Sequence, residues 1–163
     1  MLRKLLLAGA LAGSTALLGC THEDGGATLQ TQMPAGYGFH YLDEGPDAKL
    51  AYGEANSDNV GLMLLCEKGS SVVEVSDVIR SNAAPTLTLA SDGRRSDLKV
   101  EVQPGPGASL AVGRAPADSP ALSGFRKTGA IEVTYAGLRY AMTAKQTEKA
   151  AVERFFLACE RAA

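Results

Sequence analysis

PTLTLASDGRRSDLKVEV, residues 85–102, decides how the rest of the chain is read. Leu87 and Leu89 alternate with Thr86, Thr88 and Ala90, and beyond SDGRRS the apolar Leu98, Val100 and Val102 alternate with Asp97, Lys99 and Glu101. Successive side chains of a strand point to opposite faces, so each run predicts a strand with one face toward a core. Asp92-Gly93 between them supplies the positive φ that a tight hairpin turn demands.

The same signature recurs on both sides. Upstream, Phe39 and Tyr41 with Leu50 and Tyr52 keep the period of two, and GEANSDN (53–59) is a turn cluster. VGLMLLC (60–66) is a nearly continuous apolar run bounded by EKGSS, which reads as a buried central strand, with SVVEV (71–75) as its partner. Downstream, PGPG (104–107) and GRAPADSP (113–120) break the pattern and predict a long surface excursion around a short strand at 109–112. Ser119-Pro120 can cap and start a short helix that Gly129 ends, and AIEVTY (130–135) with LRYAMT (138–143) predicts a second hairpin across Ala136-Gly137.

The chain closes with a different period. Val152, Phe155, Phe156 and Cys159 fall at i, i+3, i+4 and i+7, an apolar stripe flanked by Glu148, Lys149, Glu153, Arg154 and Glu160. Thr143 and Gln146 have capping-box spacing for its start, with Thr147 as an alternative. The expected architecture is mainly β: a small antiparallel β-sandwich or open barrel of seven or eight strands, residues 37–163, with one C-terminal amphipathic helix.

The N-terminus follows other rules. Arg3 and Lys4 precede an apolar stretch from Leu5 to Leu18 and a small residue, Gly19. That is the order of a secretory signal peptide, and about 14 apolar residues fall short of the roughly 20 a spanning helix needs. Leu17-Leu18-Gly19-Cys20 resembles the lipobox of bacterial lipoproteins. The resemblance implies cleavage after Gly19, diacylglycerol on the Cys20 thiol and acylation of the new amino terminus, an anchor to the membrane worth about 0.8 kcal/mol per buried methylene. An ordinary signal peptide with a chance cysteine is the alternative. Thr21, where aspartate would resemble an inner-membrane retention signal, implies the outer membrane, with the domain facing the periplasm. Residues 20–36, rich in glycine and polar side chains, then read as a lipidated cysteine and flexible tether.

Removing residues 1–19 takes Arg3 and Lys4 from 16 basic residues and leaves 18 acidic ones, a formal charge of −4. A mildly acidic chain without a basic cluster argues against nucleic acid as a partner. Three cysteines are an odd number for an oxidising compartment, but lipidation of Cys20 leaves Cys66 and Cys159. These two are expected to form a disulfide; two buried free thiols are the other reading.

No constellation points to catalysis, a cofactor or a metal. His22 sits in the tether and His40 between Phe39 and Tyr41, with no second ligand at metal-binding spacing. Gly-x-Ser-x-Gly is missing, and the carboxylate pairs Glu23-Asp24 and Asp43-Glu44 read as solvated charge. Arg94 and Arg95, at the tip of the first hairpin, are candidates for contact with a partner, because loops carry much of recognition. The layout resembles small, uncharacterised envelope lipoproteins, which implies a non-catalytic binding or structural module with an envelope protein as its possible partner. Ala136-Gly137-Leu138-Arg139-Tyr140 is also similar to the Ser-Gly-x-Arg-Tyr loop of membrane-bound lysozyme inhibitors, with Ala136 in the place of serine. That resemblance adds Arg139 and Tyr140 to the candidates and an inhibitor of a lysozyme-like hydrolase to the functions.

Overall fold

The structure, a computed structural model, describes residues 29–79, 83–105 and 107–160. Ten strands, β1 (Leu29–Gln30), β2 (Gly38–Glu44), β3 (Asp47–Gly53), β4 (Val60–Glu67), β5 (Val72–Val78), β6 (Thr86–Ser91), β7 (Arg94–Pro104), β8 (Ser109–Pro116), β9 (Ala130–Tyr135) and β10 (Leu138–Thr143), form one sheet. Two helices complete it, α1 (Pro120–Thr128) and α2 (Lys149–Glu160). The strand order is β1-β10-β9-β6-β7-β8-β5-β4-β3-β2, and the sheet curls into a half-barrel. Every pairing is antiparallel except the short parallel contact of β1 with β10.

The mainly β class and the C-terminal helix agree with the sequence; the expected seven or eight strands do not. Leu29–Gln30 form a strand inside the stretch read as tether, because β10 offers backbone partners that no local pattern announces: Leu29 and Thr31 donate to Gly137 and Arg139 at 2.9 and 2.8 Å. β8 is no surface excursion. It runs through Gly113 and Pro116 and lies between β7 and β5 in the middle of the sheet. Gly113 marks a close approach, since a Cβ there would stand 2.7 Å from Cβ of Leu98.

The curl is produced at β7, which pairs with β6 over Arg94–Lys99 and with β8 over Val100–Pro104. The two arms of the sheet therefore diverge from one strand and turn their apolar faces toward a shared interior. Leu50, Leu64 and Val75 on one arm face Leu87, Leu89 and Val133 on the other, all fully buried. Both helices fill the space between: α1 rests on β6, β7 and β9, and α2 on β2 and β3. Phe125 of α1 stands 5.1 Å from Phe39 of β2 and 6.1 Å from Phe156 of α2, so three rings join elements from opposite ends of the sheet.

Pro120 opens α1, and Gly129, left-handed at φ 74°, closes it with its N–H on the Phe125 carbonyl. Ser119 makes no side-chain cap bond. Thr143 is the last residue of β10 and not the cap of α2; Glu148 supplies the acidic half of a capping box, its Oε2 accepting the Lys145 N–H at 3.0 Å. At the far end of α2 the Ala158 and Cys159 carbonyls accept from Gly69 and Ser71 at 3.1 and 3.0 Å, and Cys159 is bonded to Cys66 of β4.

That disulfide closes a loop of 93 residues. The chain-entropy model assigns such a loop about 4–5 kcal/mol, so replacing both Cys66 and Cys159 with alanine is expected to lower the urea midpoint by that equivalent. An unchanged midpoint would show that the unfolded chain is already as restricted without the bond.

Arg126 of α1 forks onto Glu153 of α2, with Nε to Oε2 at 3.0 Å and Nη2 to Oε1 at 2.7 Å, and its Nη1 reaches Glu160. The guanidinium holds Glu153 below its ordinary value of 4.5. A depressed acid contributes stability above its unfolded value and loses it as pH falls through the folded one. Glu153→Gln should therefore cost stability near neutral pH, under about 1 kcal/mol for so exposed a pair, and cost nothing once the wild-type carboxylate is protonated. Urea titrations across the acid range measure the convergence.

Candidate binding groove

Alternation along the strands that puts Leu50, Leu64 and Val75 inside puts their neighbours on the outer face. Register aligns His40, Ala51, Met63 and Ser76 in one row across β2, β3, β4 and β5. This face is half apolar: Ala51 and Val112 are buried on it without joining the main core, and Leu42 is 41% exposed. The row floors a groove of about 790 Å³.

The β3–β4 connection makes one wall. Register shifts between Tyr52 and Gly53, a bulge that flares the residues after it away from the ladder. Residues 54–58 are then tied into a tight loop, with Glu54 donating to the Asn59 carbonyl at 3.1 Å, Asn59 to Ser57 Oγ at 2.8 Å, and Asn56 left-handed at φ 56°. Val78 and Leu110, paired across β5 and β8, border the groove elsewhere. His40 lines it too, and its Nε2 is buried without a hydrogen-bond partner among the described residues. An apolar floor, a polar loop and one imidazole suit a ligand with an apolar body and a single polar contact.

The residues singled out from the sequence are distributed differently. Arg94 and Arg95 are not in a loop, because the turn between β6 and β7 consists of Asp92 and Gly93 alone, both with positive φ. Arg95 bonds Asp97 Oδ1 at 2.9 Å and Thr88 Oγ1 at 3.3 Å, and the Thr88 hydroxyl together with Arg95 holds Asp97 below the usual carboxylate range. Arg94 is exposed at the first position of β7. Arg139 pairs with Glu132 at 2.7 Å and shares with Arg95 a shallow depression of about 290 Å³ on the same sheet face.

Tyr140 cannot serve as a partner contact: it is 3% exposed, and its position beside Val133 turns its ring into the core. The Ala136-Gly137 turn that resembled an inhibitor loop thus presents a paired arginine and a buried tyrosine. Asp43 is bonded to Lys68 at 2.6 Å and Glu44 to Lys49, while Cys20 and His22 lie outside the described residues. Among the described residues no three His, Cys, Asp or Glu groups converge as a metal site, and no helix is long and apolar enough to cross a membrane.

Glu148 escaped sequence reasoning, although Lys145-x-x-Glu148 carries the spacing of an acidic helix cap. Its Oε2 also accepts the Phe39 N–H at 3.2 Å, tying the start of α2 to the edge strand beside the groove. Gly38 makes room, since a Cβ there would collide with the carboxylate. Burial pushes Glu148 upward, but the N–H groups of Lys145 and Phe39 and the Lys145 ammonium outweigh it and hold the carboxyl below its ordinary value.

Comparison with protein-family models, curated proteins and solved structures finds no match for the chain. The groove itself is open to test. The folded protein is expected to enhance 1-anilinonaphthalene-8-sulfonate fluorescence, and Met63→Lys, which sets a charge in the floor while its stem can still reach water, is expected to remove about half or more of that enhancement. Equal enhancement by the variant, with an unchanged melting curve, would show that the dye binds elsewhere.

Proposed function

We propose that the protein is an exported bacterial lipoprotein, anchored through acyl groups on Cys20 in the cell envelope, whose β domain binds a partner or ligand in the outer-face groove and is not an enzyme. The observation that carries this reading is the buried Cys66–Cys159 disulfide, both residues at 1% exposure or less. A buried structural bridge belongs to oxidising compartments, and it leaves Cys20 as the one cysteine outside a pair. The lipobox Leu17-Leu18-Gly19-Cys20 gives that cysteine its role, and Thr21 favours the outer membrane.

Only eight residues, 21–28, separate Cys20 from β1. Fully extended they span about 30 Å, so the anchor would keep the domain close to the headgroups. The chemistry of the groove favours binding over catalysis: an imidazole acting as a general base hydrogen-bonds a nucleophile, whereas His40 Nε2 has no partner among the described residues.

Growth of a two-membrane bacterium expressing the full chain with radiolabelled palmitate tests the anchor. Wild-type protein should carry label and fractionate with the outer membrane, and globomycin should leave an uncleaved precursor. Cys20→Ser should carry no label. Unlabelled wild-type protein, processed normally under the drug, would overturn the reading.

A further inference from the structure

An open sheet has two edges, and this one treats them differently. β1 is two residues long, which blunts the first edge. β2, the other, is seven residues long and contains no proline, no lysine and no bulge against β3. The geometry points to β2 as the interface with a second copy of this chain, paired antiparallel about a two-fold axis at Leu42.

The backbone supplies the first argument. Gly45 and Pro46 form a two-residue turn, which closes on a hydrogen-bonded pair, here Glu44 with Asp47. Pairs alternate from there, so Leu42 and His40 bond to β3 while Asp43, Tyr41 and Phe39 direct their N–H and C=O groups away from it. The Phe39 N–H confirms the parity, because it points outward to Glu148. That bond spends the outward donor at one end of the strand. Tyr41 and Asp43 keep theirs: no bond from either backbone N–H occurs among the described residues.

One register uses those groups and no others. With Leu42 opposite Leu42 of the second copy, Tyr41 faces Asp43 of the other chain twice, giving four backbone hydrogen bonds and leaving the Phe39–Glu148 bond intact. The side chains agree. Leu42 is 41% exposed on the outer face and would cover its symmetry mate. On the other face Arg154 of α2 stacks over Tyr41, its guanidinium 4.6 Å from the ring, with no ion pair to a described residue. The same register sets Asp43 of the second copy across from that Tyr41, beside the arginine. Each Asp43 keeps its own Lys68 at 2.6 Å and adds a second carboxylate beside the Arg154 of the other copy, and the two outer-face grooves, both lined by His40 and Leu42, lie side by side on a continuous sheet.

Cysteine crosslinking of the purified full chain tests the register. Cα atoms opposite each other in a non-hydrogen-bonded pair stand about 4.5 Å apart, within the range a disulfide spans. Mild oxidation should convert most Leu42→Cys into a covalent dimer. Glu44→Cys, whose two copies would be about 14 Å apart, should crosslink at least about ten-fold less. In sedimentation, wild-type protein should behave as a dimer and Leu42→Glu as a monomer with an unchanged circular dichroism spectrum. A wild-type monomer at all concentrations, or equal crosslinking at 42 and 44, would overturn the proposal. Neither readout depends on lipidation, so the dimer and the anchor fail separately.

Discussion

A curled sheet must have its concave face filled, and in this protein both helices fill it, α2 being held at both ends. At its start, Glu148 accepts N–H groups from its own first turn and from Phe39 of β2. At its end, Cys159 is bonded to Cys66, and the last carbonyls accept from the turn between β4 and β5. Between these points Val152, Phe155 and Phe156 are removed from water. Burial of such side chains contributes about 1.5–3 kcal/mol each, whereas the surface ion pairs of the helix contribute far less. Without α2, β2 and β3 would lose the helix that covers them, Phe39 would lose the carboxylate that accepts its N–H, and Phe125 would lose Phe156.

Filling the interior fixes the outer face as a consequence. Side chains alternate, so once Leu50, Leu64 and Val75 are inside, His40, Ala51, Met63 and Ser76 must be outside. The bulge at Tyr52 and Gly53 then turns the following loop into a wall. The groove thus arises from the same register that builds the core, which explains how an apolar floor comes to lie on the water side of the sheet.

The edges follow a similar logic. One is blunted by its length, and the other retains outward backbone groups, an exposed leucine and an arginine without an ion pair to a described residue. An edge that is left open is a surface for association, and a two-fold axis between identical strands makes the pairing antiparallel.

Much of this was written locally. Gly93 and Gly137 take positive φ without steric cost and Asp92 tolerates it, whereas Ala136 at φ 49° is held there by its turn; Gly129 ends α1, and the spacing of Val152, Phe155, Phe156 and Cys159 fixes which side of α2 is buried. Cysteine parity, together with the resemblance of Leu17-Leu18-Gly19-Cys20 to a lipobox, selected Cys66 and Cys159 as a pair, and a strand and a helix with inward cysteines could meet. What the sequence could not decide was adjacency. β5 with β8, β6 with β9 and β1 with β10 are neighbours far apart along the chain, and period-two patterning is the same whichever strand lies alongside. The fate of Arg139 and Tyr140 shows the difference: one residue apart, they are an exposed ion-paired cation and a buried ring, because the core lies on only one side of β10. Turn chemistry and periodicity act over a few residues and are legible there; sheet order, the groove and the open edge depend on which faces cover one another, and only the folded chain decides that.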